Sequence, residues 1–548
     1  MGYGRRFANL FLCLAFLFMT AGTVTTAGWQ AVAGGAAEAA AAWTNAFVAS
    51  TCANPDAVNF SAGCDGTEED PFIIASAEHL NNIRHVLGKG YYFKLVGDID
   101  LAAEGFTNWE PIGTPSSLFN GTFDGQGHEI KNLTITNNYS YIGLFGVTHE
   151  SAVIENVKLV NVNIAGTNGT NAQNVGALAG RNGGTIRHVS ASGKIDVVES
   201  LNINLGGLVG QNGGSIINSF SEVHTSAAGE YADSFVYVGG LAGYNFGTIE
   251  KSYATGSVTG NSGKEVFAGG LAGKNNGEIK NSFAFNASLT SNGSTNFYGR
   301  IAGGNSGRFS DNHALNTMTV NGLPTTGDNA NDQNGADINE VWAKTIFPYL
   351  DKGWDFKETW QIHPGEYPTL RDTEAQDVLP DKPAITTNTA AVVEKRDGWF
   401  VCLRIYGEAE LSATKQGNTA FFRWKDQDGN QSIESNYQVK KEKTYEIEAA
   451  SETGQRQTYK IEAKDGYALF LRTEPPQAGT ATGEGCYRPV NNTSVTASPK
   501  SGYKFVKWTM ENGREVSRFE TYNFRMPSQD LTLIAHFEKE TYPLKVQV

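Results

Sequence analysis

Between residues 140 and 310 the apolar positions follow neither a helical stripe nor a simple alternation, but one phrase that returns. GALAGRNGGTI, GGLVGQNGGSI, GGLAGYNFGTI, GGLAGKNNGEI and GRIAGGNSGRF begin at Gly176, Gly206, Gly239, Gly269 and Gly299, 30 to 33 residues apart, and a degenerate copy, IGLFGVTHESAVI, begins at Ile142. An internal period of this size marks a solenoid, propeller or array. Leu144, Leu178, Leu208, Leu241, Leu271 and Ile301 form an apolar column expected to point inward. Two residues later, Gly146, Gly180, Gly210, Gly243, Gly273 and Gly303 mark a place where a side chain is crowded out or φ is positive. Asn182, Asn212, Asn245, Asn275 and Asn305, each followed two residues on by glycine, read as a tight turn at one corner of every coil.

Runs such as SIINSFSEVHT and TIEKSYATGSV supply short strands between these phrases. The predicted fold class is all-β: a parallel β-helix solenoid with end caps, followed by small β-sandwich-like modules. Stacked coils pair each backbone with its neighbours at ~4.8 Å per coil, whereas a propeller blade needs about 40 to 45 residues. The asparagine column reads as an amide ladder holding the corners, because every copy carries it whatever its loop sequence. YYFKLVGDIDL and FNGTFDGQGHEIKNLTI place the start of the stack near Tyr92. Upstream, Leu80, Ile83 and Leu87 share one helical face, with Ser76 as N-cap and Gly88 as stop, which predicts a helix capping the open end. After Val320, the aromatics Trp342, Phe347, Tyr349, Trp354, Phe356, Trp360 and Tyr367 read as a C-terminal cap rather than a sugar-binding patch.

The chain divides into a signal peptide at 1–33, an N-terminal linker with an expected Cys52–Cys64 bridge at 34–64, the capped β-helix at 65–371, a linker at 372–397, a β-sandwich-like module at 398–467 and a last repeat module at 468–548. The signal rests on Arg5 and Arg6 before the apolar run 10–19, with Ala27 or the Ala31-Val32-Ala33 pattern suited to cleavage. An exported chain permits disulfides; whether Cys402 and Cys486 pair stays open. With 63 glycines and 16 prolines among 548 residues, the composition favours turns without being collagen-like. A formal net charge of −14 argues against nucleic acid as a partner, since polyanion binding relies on clustered Lys and Arg.

The G-x-L-x-G-x-N-x-G phrase resembles the GLUG repeat family of bacterial surface and secreted proteins. EEDPFIIASAEHLNNI, KLVGDIDL, PIG with FNGTFDGQGHEIKNLTI, and GWDFKETWQIHPGEYPTL are similar to the usual flanks of such regions. The final module, at SGYKFVKWTMENG and YNFRMPSQDLTLIAHFE, resembles the divergent internalin B-type (Listeria-Bacteroides) repeat. These resemblances imply export and presentation at the cell exterior.

GLUG regions also occur beside immunoglobulin A peptidases, so the zinc helix H-E-x-x-H is worth seeking. His149-Glu150 and His128-Glu129 each lack the second histidine. Paired carboxylates for glycan cleavage reduce to Asp98 with Asp100, which share a strand face without a Lys or Arg base in that local run, and Asp124, which with Gly125 reads as a turn. Asp426, Asp428 and Asn430 around Gly429 have Tyr437 where a calcium loop needs its twelfth-place Glu, so a hairpin turn is the better reading. No catalytic, cofactor-binding or metal residue is assigned, and no cofactor. The expected role is a non-catalytic adhesin-like protein. Its variable segments 166–174, 227–235 and 291–296 would contact an extracellular glycan or a host or matrix protein. The alternatives are a polysaccharide-active β-helix enzyme and a structural stalk presenting the C-terminal modules.

Overall fold

A computed structural model describes residues 58–61, 65–167, 173–199, 202–372, 375–388, 390–395, 398–403 and 408–540. The signal peptide and the Cys52–Cys64 bridge lie outside the described residues.

The repeats wind into a parallel β-solenoid of about seven turns. One short face stacks Tyr141–Ile142, Gln173–Val175, Ile203–Gly206, Phe235–Gly239, Glu265–Gly269 and Thr295–Gly299. A second stacks Phe145–Val147, Ala179–Asn182, Val209–Asn212, Ala242–Asn245, Ala272–Asn275 and Ala302–Asn305. The long face begins at Phe72–Ile74, includes the 15-residue strands Val153–Thr167 and Thr185–Glu199, and ends at Ala336–Ile338.

The leucine column is buried as expected: Leu144, Leu178, Leu208, Leu241, Leu271 and Ile301 are fully enclosed between the short faces. Each such side chain contributes about 1.5–3 kcal/mol. The glycine two residues on is required by crowding, not by φ, because a Cβ on Gly210 would meet the Val175 amide nitrogen at 2.4 Å. The asparagines end the second short face with their side chains inward. Asn182 Nδ2 donates to Asn212 Oδ1 at 2.9 Å, Asn212 to Asn245 at 2.8 Å, Asn245 to Asn275 at 2.8 Å and Asn275 to Asn305 at 3.1 Å. In the corner that follows, a Cβ on Gly214 would lie 1.9 Å from the Gly184 carbonyl oxygen. The left-handed backbone turn lies elsewhere, on the long face, at Asn156, His188, Asn218, Lys251, Asn281 and Asp311, with φ between 48° and 56°.

The helix Ala77–Asn82 forms with Ser76 Oγ accepting from the His79 amide at 3.2 Å, and it buries Leu80. The stack starts earlier than its expected origin near Tyr92, since Phe72–Ile74 already pairs with Tyr92–Leu95. Three residues ahead of a helix are too few to show alternation. At the far end Arg300 takes the place of the second glycine in the phrase. Its fully buried guanidinium donates to the carbonyls of Leu315, Asn334 and Gly335 and to Asp337 Oδ1 at 2.6 Å, closing the column.

The aromatic segment expected as an end cap is instead a strap laid lengthwise on the long face. That face carries an outward column of Phe220, Tyr253 and Phe283, and Tyr349, Trp354 and Trp360 cover it. Lys352 pairs with Asp311 at 2.5 Å, Trp354 Nε1 donates to the Asn281 carbonyl at 3.1 Å, and Tyr253 Oη donates to the Pro368 carbonyl at 2.6 Å. Lys158 pairs with Asp372 at the end of the strap. This cover is what buries the outward rings of the long face, and repeat counting does not reveal it.

Beyond the strap, strands Ala384–Thr386, Glu408–Thr414 and Asn436–Lys440 face a six-stranded sheet across a core that includes Trp399, Leu411, Trp424 and Ile447. Ala384–Thr386 and Ala391–Lys395 belong to these sheets, so the stretch read as a linker is partly sandwich. Arg423 locks this module to the strap: it donates to both Asp351 oxygens at 2.6 and 2.9 Å and to Glu448 at 2.9 Å. The last module has a five-stranded and a three-stranded sheet around Trp508, and a Cys402–Cys486 disulfide ties it to the sandwich.

Candidate binding surface

Alternation along the short faces sends Val236 and Val238 inward and Phe235 and Tyr237 outward. Register then stacks the outward positions coil on coil. Asn174, Asn204, Tyr237, Phe267 and Phe297 form one outer column, and Arg181, Gln211, Tyr244, Lys274 and Gly304 the next. Their rings meet as an array: Tyr237 to Phe267 at 4.9 Å, Phe267 to Phe297 at 4.4 Å, Tyr237 to Tyr244 at 5.3 Å and Tyr244 to Phe246 at 4.0 Å, all near-parallel. Phe267 fills the space that Gly304 leaves, where a Cβ would approach its ring at 2.7 Å. The end rings stay open, Phe246 being 45% and Phe297 39% exposed, while Phe267 between its neighbours is buried.

Two lysines sit on the array. Lys264 Nζ lies 4.5 Å from the Phe235 centroid, and Lys274 Nζ lies 5.3, 5.4 and 6.0 Å from Phe267, Tyr244 and Tyr237. Burial pushes the Tyr237 hydroxyl above its ordinary range, with Tyr244 and Glu265 adding to the effect. Asn276 Nδ2 donates to the Tyr244 hydroxyl at 2.8 Å. The segments 227–235 and 291–296 lie at the corner where the long face passes into this short face, so they border the array; 166–174 is described only in part. Sequence reasoning aligned the Gly, Leu and Asn columns but did not apply the same 30-residue register to Tyr237, Phe267 and Phe297, which is the signal that finds the array.

The residues weighed for chemistry are dispersed and engaged. His149 Nδ1 holds the Ser151 hydroxyl at 2.9 Å within a turn. Asp98, which has no base in its own run, meets Lys131 of the next coil at 3.0 Å. The Glu129 amide, and then Lys131, hold its carboxyl below the usual range. Asp100 accepts from Asn132 Nδ2 at 2.9 Å. Asp124 accepts from the Gln126 amide at 3.0 Å and from Asn156 Nδ2 at 2.9 Å, which fixes a turn. Asp426 accepts from the Asp428 and Asn430 amides at 2.9 and 2.8 Å in a hairpin.

A cleft of about 220 Å³ opens between the first long-face coils and the tail of the strap, lined by Asn156, Lys158, His188, Glu358, Arg371 and Asp372. Burial, and then Arg187, lower the His188 imidazole below its ordinary value. Its Nδ1 lies 3.1 Å from Asn156 Oδ1 and its Nε2 3.4 Å from Asn218 Nδ2. Among the described residues no group of His, Cys, Asp and Glu is placed to hold a metal ion, and no helix is long and apolar enough to cross a membrane.

Comparison with known families finds the GLUG motif at residues 171–197 and 236–259 and the divergent InlB B-repeat domain at 470–541. The chain thus carries surface-type repeats of both kinds. A candidate Gly-rich membrane protein of Evansella cellulosilytica is 44% identical over 133 residues, 24% of this chain and 15% of that protein. Halomucin of Haloquadratum walsbyi is 34% identical over 142 residues, 24% of this chain and 2% of halomucin. The chain therefore spans only a small part of these relatives. A crystal structure of a candidate immunoglobulin A1 protease from Bacteroides ovatus covers 56% of this chain and 94% of its own, at 24% identity and a TM-score of 0.44.

Proposed function

We propose that the chain is a non-catalytic attachment protein of the cell exterior, whose solenoid offers a rigid outer surface to an extracellular glycan or a host or matrix protein. The observation that carries this reading is the stacked array of Tyr237, Tyr244, Phe246, Phe267 and Phe297 with its lysines, open to solvent at Phe246 and Phe297. Contiguous exposed apolar patches are uncommon on soluble proteins and mark interaction sites, and aromatic anchors dominate interface energies. The exterior setting is supported by the N-terminal apolar run behind Arg5 and Arg6, by the Cys402–Cys486 disulfide, which oxidising compartments permit, and by the repeat families. Weak contacts along a rigid column add through effective concentration.

The test is a Phe246→Ser, Phe297→Ser double variant whose fold is monitored by circular dichroism. Attachment to surfaces, host cells and partner bacteria should fall while the β-sheet spectrum is kept. Unchanged attachment would remove this reading and leave the structural stalk.

An enzymatic reading would use the cleft at Lys158 and His188. There Lys158 is already paired with Asp372, and both His188 ring nitrogens lie in a side-chain ladder, which favours the absence of hydrolase activity. Depolymerisation of an offered polysaccharide, lost on Asp124→Asn, would reverse that choice.

A further inference from the structure

The placement of charge within the array narrows what it binds. Lys274 Nζ is held among three rings, 5.3 to 6.0 Å from their centroids, and among the described residues no carboxylate lies within ion-pair distance of it. Lys264, at the edge, has Asp233 3.8 Å away. Ring quadrupoles attract an ammonium and fix its position, so this cation is set before any ligand arrives, on a chain whose net charge is −14. Arg181, exposed, stands in the same outer column three coils away, about 14 Å at the ~4.8 Å rise per coil. Side-chain amides border Tyr244 on both flanks: Gln211 in the preceding coil and Asn276, bonded to its hydroxyl.

We propose that the array binds an acidic glycan lying along the solenoid axis, with a pyranose carboxylate on Lys274 Nζ and pyranose C–H faces against the open rings of Phe246 and Phe297. This rests on the attachment reading and names its ligand class. Hydroxyls fall to the Gln211 and Asn276 amides, and a second carboxylate falls to Arg181. An acidic peptide that binds by adding a strand finds no open edge at Lys274, and the poly-glutamate comparator tests an acidic chain bound in any other way. These columns lie within sheets whose strands pair coil to coil.

The experiment measures binding of the full chain to polygalacturonate and to polysialic acid, with their methyl esters and poly-glutamate as comparators. One of the two acidic glycans should bind at least ~10-fold tighter than its own ester and than poly-glutamate. Lys274→Gln should remove that preference while leaving ester binding unchanged, and Lys274→Arg should restore it. The proposal is overturned if neither glycan binds, if ester and acid bind alike, if poly-glutamate binds as tightly, or if Lys274→Gln has no effect. Should any of these occur while the Phe246→Ser, Phe297→Ser variant still loses attachment, the attachment reading survives and only the ligand class falls. Should that variant attach normally, the attachment reading itself has failed.

Discussion

The solenoid carries two outward aromatic columns built by the same device, and they meet opposite fates. On the long face Phe220 and Tyr253 stack at 4.8 Å, with Phe283 next in register, beneath the strap rings Tyr349, Trp354 and Trp360. On the short face Tyr237, Phe267 and Phe297 stack just as closely, with no strap above them among the described residues; Phe267 is buried by its own neighbours while Phe297 stays exposed. Stacking repeated rings is therefore neutral with respect to role. What turns one column into core is about thirty residues of chain laid across it. Each buried ring removes some 150–250 Å² from water, so the chain has spent its covering segment on one face and left the other open.

The largest effect separating the two columns should come from Trp360→Ala. Trp360 is fully buried and packs on Phe220, Tyr253 and Trp354. Removing a ring of this size from a core costs about 3–5 kcal/mol. Chemical denaturation should show that loss in the solenoid transition, with the strap released first. A Trp360→Ala chain as stable as the wild type would mean that the strap is not holding the long face.

The covered column should also be the pH-sensitive one. Burial first, and then the charge of Lys352, lower the His313 imidazole to about 4. A depressed histidine adds stability that is present above its unfolded value near 6.5 and is lost as pH falls from there toward 4. The span corresponds to at most about 3 kcal/mol. Thermal unfolding between pH 7 and 4.5 should show this decline, and His313→Gln should flatten it. An unaltered profile in the variant would assign the decline to other groups, the first being His188, whose imidazole burial and Arg187 also hold below its ordinary value.

Much of this architecture is readable from residues alone, and the reasons for the remainder are physical. The Leu and Gly columns are forced by enclosure and by close backbone approach, which leave one residue type per position. The Asn ladder is forced by buried amides that satisfy one another and the corner carbonyls of Gly184, Gly214 and Gly247. The left-handed corner escapes notice because Asn156, His188, Asn218, Lys251, Asn281 and Asp311 share a backbone conformation rather than a side-chain type. The strap escapes because its aromatics cover a side instead of an end, and nothing local distinguishes the two. The open array sits in the same register as the readable columns, yet it mixes Asn, Tyr and Phe. Surface positions tolerate that variety, so only the coil count exposes it.

A smaller effect distinguishes the inner ladder from the outer columns. Asn212 is fully buried between Asn182 and Asn245. Asn212→Ala strands the amide of one neighbour and the carbonyl of the other, at about 1–3 kcal/mol. Asn305, the exposed last member, takes the Asn275 amide and bonds the Gly307 corner but has no further asparagine to serve among the described residues, so Asn305→Ala should cost less than Asn212→Ala. Equal costs at the two positions, measured by denaturant midpoints, would mean that the ladder is not stabilised by burial.

The smallest change in stability is expected at Phe246→Ser, and it is the most telling for function. Phe246 is 45% exposed and is stacked on Tyr244 at 4.0 Å. Its backbone amide donates to the Asn212 carbonyl at 2.7 Å, a bond that serine keeps. The side chain therefore closes no cavity, and its loss should move the unfolding midpoint by no more than about 0.5 kcal/mol. Trp360→Ala, by contrast, should damage the fold, so any loss of attachment it causes would not identify a contact. If Phe246→Ser lowers attachment with the fold unmoved, the open column is a working surface. If it destabilises the solenoid as Trp360→Ala does, the two columns are alike in role, and the contrast between a covered and an open face disappears.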